Sequence, residues 1–514
     1  MHVLPPSLVT DLHNGIQISA DVHAEPIRQT LAGLVPKLDK YDAEIKELEE
    51  TLACLKHHRT DLAYSVSVYK AFLSPICRLP AELLCKFFLE ACAVGDRFPI
   101  GNDIRETFQS HSQTALRIAS VCSYWRSVSL SFPPLWSVMF IDTDDDNLSR
   151  STRKLLSLYQ WRSCAKPTHI GISAQRYLHE DDDVPMLPYM SLKTIFSPSP
   201  SLLNLSSCRS FIFDMCEASS SDLTLPPPCF ASLERLDLLG FMSDSDVNNT
   251  TTLSSLFHDA PRLRELHLHD TRSRTLQDVG IECSAIRTLW LEKYECNTQW
   301  DDIVGILGSF PSLDILVFYW AWFENITTTV TIPGVRVLRI CADVACLLHA
   351  LMLPDLHRLE IFDDEEESDN PIVIVPEEID VIVASFVRSS FINELRFDKV
   401  AIRDVDLIRI LESVPKLTKV ALVEDKYYVR TSITDELLDR MMMDADFLPK
   451  LEDLELVWAE ENEIEEGKVL SVIENRCGRL RSVIVGVRGG GELKKKTLQK
   501  IQRLRELGLS IQLY

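Results

Sequence analysis

With 514 residues, 46% of them apolar and 25% charged, the chain has material for a large buried core and is no candidate for wholesale disorder. A formal net charge of −23 repels phosphate backbones and anionic lipid, so nucleic acid and membrane surfaces are not expected partners. The 14 cysteines form no Cys-x-x-Cys pair and no zinc-type Cys/His spacing, so neither a metal nor another cofactor is expected.

In chain order, residues 1–25 read as a disordered tail. Met1 to Val22 is interrupted by Asp11, His13 and Asp21 and has no continuous apolar stretch of signal-peptide type. No later apolar run reaches the length that spans a bilayer. An intracellular protein, cytoplasmic or nuclear and with reduced thiols, is the expectation. Cys122 and Cys283 lie in apolar stretches and read as small buried hydrophobes.

From Ile27 to Leu73, apolar residues advance by alternating fours and threes: Ile27, Leu31, Leu34, Leu38, Tyr41, Ile45, Leu48, Leu52 and Leu55, then Leu62, Val66, Tyr69 and Leu73. Only Arg59 interrupts the seam. This spacing predicts a coiled-coil helix over 26–73, its continuous part beginning near Pro36, because proline disrupts a helix interior. Two occupants of the seam remain open, a second chain and the body of the same chain.

Residues 74–140 carry Leu79-Pro80-Ala81-Glu82-Leu83-Leu84 with Phe87-Phe88, then Val121-Cys122-Ser123-Tyr124-Trp125-Arg126, then Pro134-Leu135-Trp136. Pro80 suits the first position of a helix and Glu82 its positive first turn. Leu83, Leu84, Phe87 and Phe88 form one apolar face. A second amphipathic stretch runs from about Thr114 to Leu130 and ends at Pro133-Pro134. A module this short cannot hide all its large apolar groups, so some should face a partner.

The ordered motif resembles an F-box, the adaptor-binding module of cullin-based ubiquitin ligases. With the heptad ahead of it, the chain is similar to fungal proteins that place a coiled coil before the box. The segment from Gly95 to Gln113 is longer than in the shortest members of that family. The resemblance implies docking of a Skp-type adaptor through Leu79, Pro80, Leu83, Leu84, Phe87, Val121, Trp125 and Trp136, with no catalytic residue in this chain. It also implies a link, through the adaptor, to a cullin-RING ligase.

Residues 141–165 read as a linker helix using Leu148, Leu155, Leu156 and Tyr159. From 166 to 514 the unit apolar-x-x-apolar-x-apolar repeats, as in Leu233/Leu236/Leu238, Leu263/Leu266/Leu268 and Ile286/Leu289/Leu291, on to Leu480/Val483/Val485. Cys208/Phe211/Phe213 is an earlier copy, and Ile170/Ile172 an earlier start. Unit starts lie between 21 (335 to 356) and 36 (356 to 392) residues apart, a range that centres on leucine-rich repeats. Leu253 to Pro261, Ile303 to Pro311 and Leu407 to Pro415 each read as helix, break, strand.

The expected fold is mainly α/β: a coiled-coil helix, an all-α box, then an irregular leucine-rich-repeat solenoid with parallel strands on its concave side and helices on its convex side. Phe241, Thr271, Tyr294, Ala321 and Asp364 stand where such repeats commonly carry Asn or Cys, hence the irregularity. The longest connections are expected near Asp363 to Val375 and Glu424 to Thr434.

Acidic runs, including Asp363 to Asp369 and Glu460 to Glu466, lack EF-hand spacing and read as solvated loops. Lys494 to Lys496 with Lys500 reads as the exposed face of a final helix, and Gly489 to Gly491 as a flexible turn. Trp320, Trp322 and Phe323 follow a repeat strand and are candidate target-binding aromatics, or filling between unequal repeats. Taken with the resemblance, the sequence points to a substrate-recognition subunit of an SCF-type E3 ubiquitin ligase. The alternative is a leucine-rich-repeat scaffold unrelated to ubiquitin. An enzyme is disfavoured, because no catalytic constellation is evident.

Overall fold

The computed structural model describes residues 13–14, 20–73, 75–92, 113–142, 150–163, 168–173, 205–214, 230–239, 257, 260–269, 283–292, 298–319, 323–324, 326, 328–363, 373–424, 432–460, 462, 464–489, 491 and 493–514. The chain divides into two compact units, Met1–Leu84 and Cys85–Tyr514.

In the first unit, the heptad forms one α-helix, Ala20–Leu73, of 54 residues. The expected start at Pro36 is corrected. Proline lacks one N–H, and a long helix with a solvent-facing backbone can leave the freed carbonyl to water while every other turn stays bonded. The seam stays outward: Leu38, Leu48, Leu55 and Tyr69 are all exposed. Among the described residues no helix is long and apolar enough to cross a membrane.

Pro80 stands just ahead of the next helix, Ala81–Cys92, and its carbonyl accepts from the amides of Leu83 and Leu84. It therefore closes the first turn from outside the helix, one position before the expected place.

In the second unit, the stretch expected as one helix from Thr114 to Leu130 is two, 113–121 and Ser123–Leu130. Cys122 divides them. Its backbone is extended, and its Sγ accepts from the amide of Trp125 at 3.4 Å, which caps the second helix. Arg126 Nε donates to Ala119 O at 2.9 Å, satisfying a carbonyl at the end of the first. Cys122 is thus a half-buried cap, not a filler of the core.

Fourteen strands then form one sheet in strict chain order. Numbering only these, they are β1 Val138–Asp142, β2 Thr168–Ser173, β3 Cys208–Asp214, β4 Arg235–Leu239, β5 Glu265–His269, β6 Thr288–Glu292 and β7 Ile315–Tyr319. They continue as β8 Val337–Cys341, β9 Arg358–Phe362, β10 Glu394–Asp398, β11 Lys419–Val423, β12 Asp453–Ala459, β13 Ser482–Arg488 and β14 Ser510–Leu513. Each pairs in parallel with the next, as in a leucine-rich-repeat-like solenoid. The sheet takes in β1 and β14, which the repeat pattern did not reveal. It begins directly after the Leu135-Trp136 turn, ahead of residue 166.

Register explains the apolar pattern. Positions two apart on a strand share a face. Leu236, Leu266, Leu289, Leu316, Leu338 and Leu359 align strand to strand, and the row two residues on aligns likewise. The entry residues Leu233, Leu263, Ile286, Leu313, Val335 and Leu356 are buried beside them. The repeat turns are stitched by backbone: Arg264 N donates to Glu234 O, Arg287 N to Arg264 O, and Asp314 N to Arg287 O. Phe241, Thr271, Tyr294, Ala321 and Asp364 lie outside the described residues.

Helices line the apolar face in the C-terminal half: Pro376–Arg388, Asp404–Glu412, Asp435–Met443, Glu466–Arg476 and Lys495–Glu506, each touching the next. Pro376 occupies the first turn of its helix, where its missing N–H costs nothing. Helix-break-strand order holds at Trp300–Leu307 before β7 and at Asp404–Glu412 before β11. Most of 253–261 lies outside the described residues.

The expected linker helix is present as Arg150–Ser163, with Leu156 and Tyr159 buried and Leu155 outward; Leu148 lies outside the described residues. Arg162 Nη1 donates to Leu130 O at 3.0 Å, and Tyr159 meets Trp136 edge-on at 5.0 Å.

Candidate functional site

The unit boundary falls inside helix Ala81–Cys92. Leu79, Pro80, Leu83 and Leu84 therefore belong to the first unit, and Phe87, Val121, Trp125 and Trp136 to the second. Leu83 and Phe87, four residues apart on one helix, are 43% and 57% exposed, and Val121 is 60% exposed. Pro80 is exposed, and Leu79 and Trp125 are half-buried, the Trp125 ring lying 4.9 Å from that of Phe88. Leu84 and Trp136 are buried, with Trp136 Nε1 donating to Ser129 O at 2.8 Å. These two residues offer no surface of their own.

Trp320 and Trp322 lie outside the described residues. Of Phe323 only the backbone is described, in a two-residue strand paired with Thr298-Gln299.

The sheet has a second face, largely buried, that the repeat pattern did not suggest. Between the two core positions of each strand one residue points to the opposite face. In register these run Asp237, His267, Trp290, Val317, Arg339, Glu360, Arg396, Ala421 and Glu455. The signal was present in the sequence, as a charged residue or histidine flanked by core residues at −1 and +1 in six of these nine strands.

Two groups of charge occupy this row. In the first, Arg235 grips Asp237 with two hydrogen bonds, 2.8 Å from Nε to Oδ2 and 2.9 Å from Nη2 to Oδ1. His267 Nδ1 lies 3.0 Å from Asp237 Oδ1, and its Nε2 lies 2.9 Å from Glu265 Oε1. His269 Nδ1 meets Glu292 Oε2 at 2.5 Å. The Trp290 ring stacks on His267 at 4.7 Å.

The electrostatics follow from these contacts. Burial would raise the Asp237 carboxyl, but His267 and Arg235 overcome it and hold the group well below the usual carboxylate range. Burial likewise opposes charge on His269, yet Glu292 and Asp237 raise its pKa to about 9. Glu265 is held low against its own burial by His267 and Arg235.

In the second group, Arg339 lies over the rings of Trp290 and Phe362 and reaches Glu360 at 3.0 Å, which Arg358 also meets at 3.0 Å. Arg396 pairs with Glu455 at 2.6 Å and with Asp398 at 3.0 Å. These arginines and carboxylates satisfy one another on the sheet, with Glu360 and Glu455 buried and Arg339 and Arg396 half-buried.

The remaining expectations fall out as follows. Lys495, Lys496 and Lys500 are exposed on the final helix. Gly489 turns with a positive φ of 107°. The acidic run at 363–369 begins with Asp363, which is buried with its amide bonded to Asp398 O, and the rest of that run lies outside the described residues. Cys208 is buried and its thiol pushed up to about 12 by desolvation, which makes it unreactive.

No protein-family model matches the chain, and no curated protein matches it. Among solved structures, the leucine-rich repeat-containing protein LegL7 from Legionella pneumophila is similar at 12% identity and a TM-score of 0.34, covering 58% of this chain and 91% of that one. The fold assignment rests on the strand order of this chain itself.

Proposed function

We propose that the chain is a protein-binding receptor: its box-like motif docks a Skp-type adaptor and its repeat sheet holds a target protein, as in the substrate-recognition subunit of an SCF-type ubiquitin ligase. The supporting observation is the exposure of Leu83, Phe87 and Val121, large apolar groups on short helices within the motif. The chain performs no chemistry in this reading. Capture raises the local concentration of target lysines near a charged E2 supplied by the ligase. Such a role places the protein in the cytoplasm or nucleus.

Co-purification of the full chain with a Skp-type adaptor tests the reading. The wild type should bind, and Leu83→Asp with Val121→Asp should not, because both positions are exposed and the changes spare the core. An unbound wild type, or a double variant that still binds, removes the ligase role.

The alternative, an interaction scaffold unrelated to ubiquitin, is favoured by the burial of Trp136. There the motif's last aromatic closes the start of the sheet and has no docking surface. That reading keeps target binding by the sheet and predicts no adaptor.

A further inference from the structure

We propose that Asp237, His267 and His269 bind one divalent transition-metal ion on the sheet face opposite the core. This goes beyond the receptor reading and does not depend on it. His267 and His269 are two apart on β5, so both rings leave the same face, and register sets Asp237 of β4 directly beside His267. All three are buried, and their ligand atoms lie within 4.8 Å of one another.

Ring chemistry singles out these atoms. Each imidazole has its outer nitrogen against a carboxylate, His267 Nε2 on Glu265 at 2.9 Å and His269 Nδ1 on Glu292 at 2.5 Å. An ionised carboxylate only accepts, so those nitrogens carry the protons. His267 Nδ1 and His269 Nε2 then face Asp237 Oδ1, at 3.0 and 4.0 Å, and each offers a lone pair to an ion that displaces any second proton. His269 Nε2 has no hydrogen-bond partner among the described residues and is fully buried. Lone pairs converging on an anionic oxygen demand positive charge between them. Carboxylates behind metal-binding imidazoles are the usual device for fixing tautomer and orientation.

Charge balance agrees. The carboxylates of Asp237, Glu265 and Glu292 face one positive charge on Arg235, and the proton held on His269 makes up part of the difference in the metal-free chain. A divalent ion replaces that proton on binding, and two nitrogens with one carboxylate oxygen suit zinc, cobalt, nickel or copper better than calcium or magnesium. Arg235 is the competitor: its Nη2 lies 3.1 Å from His267 Nδ1. An ion would displace that contact, while Nε keeps Asp237 Oδ2.

The test uses the full chain, stripped with a chelator and titrated at pH 7.5 with Zn2+ and with Co2+, whose visible bands report nitrogen coordination. One ion per chain should bind with micromolar or tighter affinity and raise the melting temperature. His269→Gln should abolish both effects. Glu292→Gln, which alters no ligand, should weaken binding by about 10–100-fold, and this variant serves if His269→Gln does not fold. His357→Gln, in another repeat, should bind as wild type, and Arg235→Met should bind more tightly. Absence of a stoichiometric ion, or binding unchanged by both His269→Gln and Glu292→Gln, overturns the proposal.

Discussion

Arg476 shows how a single side chain can join repeats. It is 8% exposed and donates to four carbonyls, Met441, Leu448, Asp444 and Phe447, with donor-acceptor distances of 2.8, 3.0, 3.3 and 2.7 Å. Those carbonyls close the turn after helix Asp435–Met443, so an arginine of the next repeat completes the end of the previous helix. Burial lowers its pKa, but the group remains a cation serving neutral acceptors. Arg476→Met keeps much of the volume and strands the acceptors; it should cost about 3 kcal/mol. Urea unfolding measures the loss, and a change under about 0.5 kcal/mol, the range of ordinary surface substitutions, would show that water replaces the guanidinium. Nothing local in Glu474-Asn475-Arg476 marks this role, because every partner comes from the preceding repeat.

At the scale of elements, the long helix and the crossover helices answer to different physics. The crossover helices each bury an apolar stripe, as Ile379, Ile382 and Phe386 do in one and Leu437, Leu438 and Met441 in another. The seam of Ala20–Leu73 stays exposed, with Leu48 at 68% and Tyr69 at 70%. Burying a leucine is worth about 1.5–3 kcal/mol, so a seam of this length is a strong drive to pair. A second copy of the chain is the expected occupant. Light scattering of the full chain should give twice 58.5 kDa, falling to 58.5 kDa for Leu38→Asp with Leu52→Asp. A wild type that already runs at the single-chain mass would remove the second copy as occupant. The heptad is legible in sequence because its period continues across a single break at Arg59. The run of helix ahead of Pro36 was not, since the proline penalty is local and small beside the length of the helix. Cys122 misled in the opposite sense: apolar residues continue across it, and only its extended backbone reveals two helices.

At the scale of the molecule, the sheet closes on β14, and its geometry explains a glycine. A Cβ on Gly486 would lie 2.7 Å from Tyr514 Cβ and 3.1 Å from Tyr514 N, where the chain passes over β13. Tyr514 N donates to Val485 O at 3.1 Å. Gly486→Ala should push this end away and cost about 1–3 kcal/mol. Hydrogen exchange at the Tyr514 amide checks it: retained protection in the variant would mean that the strand absorbs the methyl group. The repeated strand unit was readable along the array because leucines at fixed offsets imply one buried face whatever lies between them. β1 and β14 escape the pattern because Val138 to Asp142 straddles the expected end of the box and start of the linker helix, and Ile511 and Leu513 have Gly508 where the unit's apolar entry residue would stand.

The sequence by itself determined the seam, the order of the strands and the residues that face the core, since each follows from a short period along one chain. Tertiary structure decided what the alternate strand positions do. Asp237, His267 and Trp290 come from three repeats, and only parallel register sets them side by side. The physical reason is that burial is a property of one residue's spacing, whereas a charged cluster is a property of distances between repeats. Those distances are fixed by the backbone bonds that stack one turn on the next.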